Sequence, residues 1–210
     1  MCSSMTLGCS VFVILLNRTD RINVFDANRR IISNLSFFPA IEGNENDVLK
    51  EIRRLNLRYQ FQGSRNYGAL ANALSKFNAF TYQLKHRIPR MLLFEDDVIL
   101  KPDIVETACS TFMNSSTLIL HWWGEGYRTD LNAARGLRKC FCIEGITMNV
   151  DNQIRRVCGK YVQVNLTSQR HRFLTGNVVA PVNKGHIRYT KKVNLKLLSL
   201  KTNRTLCMDE

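Results

Sequence analysis

Between Met91 and Leu100 the chain reads Met-Leu-Leu-Phe-Glu-Asp-Asp-Val-Ile-Leu, so three consecutive carboxylates interrupt an apolar run. A short apolar segment of this kind reads as a buried strand. Adjacent ionised carboxylates are costly there unless a cation or hydrogen bonds compensate them. The economical arrangement is a divalent metal held where a core strand surfaces, which points to phosphate chemistry. A strand that ends in a solvated acidic turn is the plainer alternative. Apolar residues on both sides of the acids weigh against it.

With 210 residues, 45% of them apolar and 22% charged, the chain is expected to form one globular domain over 1–210. No apolar stretch approaches the ~18 residues of a membrane span. Val11–Leu16 is too short for a typical signal-peptide core and is expected to be the first strand. The expected location is cytoplasmic, with a peripheral membrane site as its variant. The net charge of +13 is scattered. It fits a solvated basic face, an anionic membrane surface, a nucleic acid or phosphorylated substrates. A nucleic-acid-binding module is the rival class, but no basic motif interleaved with aromatics supports it. No nucleic acid is expected as a partner. Among seven cysteines, Cys140 and Cys142 flank one residue, a poor zinc spacing. Reduced, buried thiols are expected. Asn-x-Ser/Thr sequons at Asn17, Asn34, Asn114, Asn165 and Asn203 matter only in a secretory compartment, and are read as chance.

Alternation of elements sets the fold class. Residues 10–16 predict a strand, and Thr19 or Asp20 caps a helix running to about Ser33. Phe37–Ile41 predicts a second strand. A helix opening at Asn46 or Asp47 carries Val48, Leu49, Ile52 and Leu55 on one face. The best-patterned helix is Ala69–Lys85, with Leu70, Leu74, Phe77 and Leu84 as a core stripe. The acidic strand follows Pro89, then a helix over Asp103–Met113 and a strand over Thr117–His121. Trp122–Tyr127 reads as an aromatic loop, and residues 137–166 are expected to hold two or three strands. The pattern is α/β, with a layered sheet.

Ligands of open α/β sheets sit beyond the carboxyl ends of the strands. Asn17, Arg18 and Arg21 follow the first strand, Glu42 and Gly43 the second, and Glu95, Asp96 and Asp97 the acidic one. If these strands are parallel neighbours, the clusters line one crevice. Arginines would grip phosphates with planar donors, glycine would permit close backbone approach, and the acids would hold Mn²⁺ or Mg²⁺ through oxygen.

Four segments then acquire a shared meaning. Val11–Arg21, Phe38-Pro-Ala-Ile-Glu-Gly43, Gly68-Ala-Leu-Ala-Asn-Ala-Leu-Ser75 and Glu95-Asp96-Asp97 stand in this order. In order and approximate spacing they resemble the motifs of glycosyltransferase family 25, which includes bacterial lipooligosaccharide sugar transferases and procollagen galactosyltransferases. The resemblance covers roughly residues 10–103. Lys76 stands where the family usually has His, and Asn17-Arg18 lacks the family's intervening acid.

The resemblance implies a GT-A fold, a Rossmann-like nucleotide-sugar domain with a mixed, mostly parallel sheet flanked by helices. Its nucleotide-binding half would be about 10–103 and its acceptor-side half about 104–190. The implied activity is metal-dependent transfer of a sugar from a nucleotide donor, UDP-sugar favoured, to a glycan, lipid-linked or protein acceptor. The implied donor-binding residues are Leu15, Asn17, Arg18, Arg21, Glu42, Gly43, Asn72, Glu95 and Asp96. Asp97, helped by Glu95 and a late histidine, His171 or His186, would hold the metal. Glu125 and Asp130 are the nearest candidates for the base that activates the acceptor hydroxyl. A degenerate, non-catalytic relative that only binds ligand is the other alternative.

Overall fold

In the computed structural model, which describes residues 9–60, 66–110, 117–119 and 126–166, strand periodicity decides the layering. β1 (Cys9–Leu15) and β3 (Arg90–Glu95) are parallel neighbours. Cys9, Val11, Val13, Leu92 and Phe94 face one way, and Ile14, Met91 and Leu93 the other. Both faces are covered, so Met91 to Phe94 are at most 1% exposed. Each such side chain contributes roughly 1.5–3 kcal/mol. Together they offset the several kcal/mol that desolvating the acid at the strand's end costs.

The first face is covered by α1 (Thr19–Ile31) and α4 (Ile104–Ser110), through Phe25, Ile104 and Ala108. The second is covered by α2 (Glu45–Leu55), α3 (Tyr67–Lys85), α5 (Leu131–Glu144) and α6 (Val150–Arg156). With β2 (Leu35–Pro39), β4 (Thr117–Ile119), β5 (Gly126–Asp130) and β6 (Val164–Leu166), the sheet has six strands in the order β2-β1-β3-β5-β4-β6. β5 alone runs antiparallel to its neighbours. The others are parallel where they pair. This is an α/β architecture with a mixed, mostly parallel sheet between helices, compatible with a Rossmann-like fold. One sheet draws strands from both sides of residue 103.

α3 is the central support. Its stripe Leu70, Leu74, Phe77 and Leu84 is buried. Its buried Gln83 donates to the Thr129 carbonyl at 3.0 Å and accepts from the Thr129 hydroxyl at 2.6 Å. That clamp fixes β5 beneath the helix.

Several boundaries differ from expectation. α1 has Arg18 at its N-cap position with no side-chain cap, so Thr19 and Asp20 fall inside the first turn. α2 and α3 start earlier than predicted, because Asn44 and Asn66 accept the backbone N–H groups of Asp47 and Ala69. The larger correction falls on 137–166. Ala133, Ala134, Leu137, Cys140 and Phe141 are buried at three- and four-residue spacing, which is a helical stripe. Two helices therefore occupy half of that stretch, and Val164–Leu166 is its one named strand.

The cysteines also overturn the reduced-thiol expectation. Cys9 is bridged to Cys109 and Cys140 to Cys158, with Cα separations of 6.5 and 5.4 Å, within the span a disulfide needs. Cys142 is disulfide-bonded as well. Among the described residues no helix is long and apolar enough to cross a membrane.

Candidate functional site

Because β1, β2 and β3 run parallel, their carboxyl ends open on the same edge of the sheet. A cleft of about 470 Å³ lies there, lined among others by Leu16, Arg18, Glu42, Gly43, Asn72 and Glu95. The N-terminal half of α3 forms one wall through Asn66, Gly68, Ala71, Asn72 and Ser75. Gly43 makes the wall possible. A Cβ there would stand 3.0 Å from the Cα of Gly68, so a side chain would push the loop after β2 away from α3, and glycine lets them meet this closely. Ser75 holds the loop, accepting from the Ile41 N–H at 2.9 Å while donating to the Ala71 carbonyl at 2.7 Å.

Strand parity decides what the acids do. Glu95 continues the face of Met91 and Leu93, which is the α3 side. Its Oε1 accepts from Asn72 at 3.0 Å and from the Lys76 ammonium at 2.9 Å. Lys76 is 1% exposed. Its Nζ also reaches Asp151 Oδ1 at 3.3 Å and the Tyr127 hydroxyl at 3.2 Å. Tyr127 in turn donates to the same Asp151 oxygen. Four elements, α3, β3, β5 and α6, thus converge on one ammonium group. Burial alone would lower the Lys76 pKa, but the negative charges of Glu95 and Asp151 outweigh it and hold the group above its usual range. Burial pushes the Glu95 carboxyl up, and Lys76 pulls it back toward the ionised form.

The next two acids share a different cation. Asp96 accepts the Leu16 N–H at 2.8 Å, which pins the end of β1 to the turn after β3. Arg21 Nη1 lies 3.4 Å from Asp96 Oδ1 and 3.2 Å from Asp97 Oδ2. Burial raises the Asp96 pKa, against the Leu16 N–H and Arg21. Buried Asn28 fixes the far side of this turn: it donates to the Val98 carbonyl at 2.7 Å and accepts the Leu100 N–H at 2.9 Å. The acidic turn is therefore an ordered element, clamped by β1 and α1.

Of the residues singled out from the sequence, Arg18, Glu42, Gly43, Asn72, Glu95 and Asp96 line the cleft. Leu15, Asn17, Arg21 and Asp97 do not line it; Arg21 and Asp97 form the ion pair beside it. Asp130 is a correction. It pairs with Arg90, at the opposite end of β3 from Glu95, and its carboxylate accepts the Ala133 N–H at 2.7 Å as the cap of α5. It cannot serve chemistry in the cleft. Glu125, His171, His186 and the Trp122-Trp123 pair lie outside the described residues. Lys76, Tyr127, Asp151 and Asn28 were not foreseen. The one available signal was a lysine within the apolar stretch of α3.

Among the described residues no three His, Cys, Asp or Glu side chains group as a metal cage. Glu95 does not suit a metal, because its carboxylate already carries Lys76 and Asn72. Asp96 is likewise engaged, by the Leu16 N–H and Arg21, whereas Asp97, with its side chain 25% exposed, offers hard oxygen of the kind Mg²⁺ or Mn²⁺ takes. Such ions are commonly held by one or two carboxylates plus substrate phosphates.

No family model matches the chain, and no curated protein matches it.

Proposed function

We propose that the chain is a glycosyltransferase that binds a nucleotide-sugar in the cleft beyond β1, β2 and β3. The observation that carries this reading is the meeting, in one cleft, of Arg18, the N-terminal end of α3 and the Glu95-Asp96 turn. A 19-residue helix directs the positive end of its dipole outward at its start. With Arg18 it would receive a diphosphate. Glu95, paired with Lys76, would accept hydrogen bonds from sugar or ribose hydroxyls. Asp97 would hold Mn²⁺ or Mg²⁺, with Asp96 ordering the turn. When bound, the ion would supply positive charge to the leaving nucleoside diphosphate. The finer assignment, a GT-A fold using a UDP-sugar and a glycan, lipid-linked or protein acceptor, rests on the resemblance to glycosyltransferase family 25. With Asp130 excluded, Glu125 is the proposed base.

The internal neutralisation of Glu95 favours one second reading, a cleft that binds a nucleotide-sugar and transfers nothing. A thermal-shift screen with UDP-, GDP- and dTDP-sugars, with and without Mn²⁺, tests both. The transferase reading expects a metal-dependent shift for one donor and transfer to some acceptor. Binding without transfer or hydrolysis would establish the second reading, and no response to any donor would overturn both. Asp97→Ala is expected to abolish the metal-dependent part of the shift while the fold persists. Unchanged donor affinity in that variant would remove Asp97 from the metal site.

A further inference from the structure

Every described cysteine, at positions 9, 109, 140, 142 and 158, is oxidised. Bridges of this number form and persist in oxidising compartments, whereas cytosolic thiols are kept reduced. In such a compartment an Asn-x-Ser/Thr sequence becomes an acceptor for N-linked glycan. Asn34-Leu35-Ser36 is built to be one. Asn34 is exposed in the short link between α1 and β2, and Ser36 is exposed two residues on. Leu35 between them is 4% exposed and anchors the link in the core. Among the described residues β2 is also an edge strand of the sheet. Two of the large exposed apolar side chains, Ile31 at 43% and Phe37 at 55%, flank the sequon on either side. An open strand edge beside exposed apolar groups is a site for unwanted association, and a hydrated glycan there would cover it. Asn17, the other sequon asparagine exposed among the described residues, is next to Arg18 at the cleft, where a glycan would crowd a ligand.

We propose that the chain matures in an oxidising, glycosylating compartment and carries an N-linked glycan on Asn34. The amide nitrogen of Asn34 bonds to the anomeric carbon of a lipid-diphosphate-linked oligosaccharide. The carbon–oxygen bond to the diphosphate breaks, the lipid diphosphate leaves, and the amide nitrogen loses one proton. Each disulfide forms by exchange with a protein disulfide donor, which takes up the two electrons and two protons.

The test uses the full chain purified from the cells that naturally make it, alkylated without reduction. After amidase release of glycan in ¹⁸O water, Asn34 is expected as ¹⁸O-labelled Asp. Peptides bearing Cys9 and Cys109, and Cys140 and Cys158, are expected to be linked. Expressed in the same cells, Asn34→Gln and Ser36→Ala should each lose the same single glycan by gel mobility. Ser36→Ala keeps the asparagine, so it separates loss of the modification from loss of the side chain. Alkylated thiols at these four cysteines, or an unmodified Asn34 in the disulfide-bonded chain, would overturn the proposal.

Discussion

Lys76 concentrates the residue-scale physics of this protein. A fully buried ammonium survives only because its three hydrogens meet Glu95, Asp151 and Tyr127. Removing one partner of such a cluster leaves buried charge uncompensated, at a cost of about 3–5 kcal/mol. Lys76→Met is therefore expected to lower the urea midpoint by that equivalent, and Lys76→Met combined with Glu95→Gln and Asp151→Asn to recover much of it. A triple variant no more stable than the single one would show that the cluster's packing, not its charge, matters. The folded-state pKa of Lys76 lies above its ordinary 10.5. Its contribution is thus fully present below 10.5 and is lost only as pH rises through the higher folded value. The sequence displayed the acids and their strand but not their partners. Asp151 lies 75 residues from Lys76, and Tyr127 lies 51 away. No local pattern connects them.

At the scale of elements, α2 and α3 are joined by one carboxylate. Glu51 accepts from Arg54 Nη2 at 2.6 Å, from Arg54 Nε at 2.7 Å and from Asn78 on α3 at 2.6 Å. The Arg54 hydrogen bonds hold Glu51 below the usual carboxylate range, against the opposing effect of burial. A lowered folded pKa gives stability that is present above the unfolded value near 4.5 and lost as pH falls through the folded one. Glu51→Gln should therefore show a shallower loss of stability on acidification below about pH 5, read from denaturation midpoints across pH. An unaltered acid limb would assign the effect elsewhere. Packing between elements is as strict at Gly136 in α5, where a Cβ would stand 2.6 Å from the Tyr161 carbonyl oxygen. Gly136→Ala should cost about 1–3 kcal/mol as overpacking, and a neutral result by chemical denaturation would mean that the segment at Tyr161 gives way. The elements up to β3 were legible because each carries its own period. β5 was not legible: its first two residues, Gly126 and Tyr127, fall in the expected aromatic loop, and Gly126-Tyr-Arg-Thr-Asp130 has no apolar alternation. Its strand geometry comes from pairing with β3 and from the Gln83 clamp.

At the scale of the whole molecule, the two bridges whose cysteines are both among the described residues close loops of different length. Cys9–Cys109 spans 100 residues and joins β1 to α4, while Cys140–Cys158 spans 18 and joins α5 to the 3₁₀ turn Cys158–Lys160. Loop-closure entropy gives about 4.7 kcal/mol for a loop near 100 residues and about 3 for one near 15. Replacing both cysteines of the first pair by Ala is expected to lower Tm more than replacing both of the second. The reverse order in calorimetry would place the stabilisation in local packing rather than in chain entropy.

What the sequence determined by itself is the alternation of strand and helix to residue 110, the apolar face of α3, and the gathering of polar clusters at the ends of three strands. All of these follow from side-chain period and from turn residues, which act over a few positions. Only the tertiary structure decided that the acids are neutralised from within by Lys76 and Arg21, that Asp130 caps a helix at the far edge, and that the cysteines are paired. Charges and thiols find partners through space. Those distances are set by how whole layers pack, and sequence separation carries no record of them.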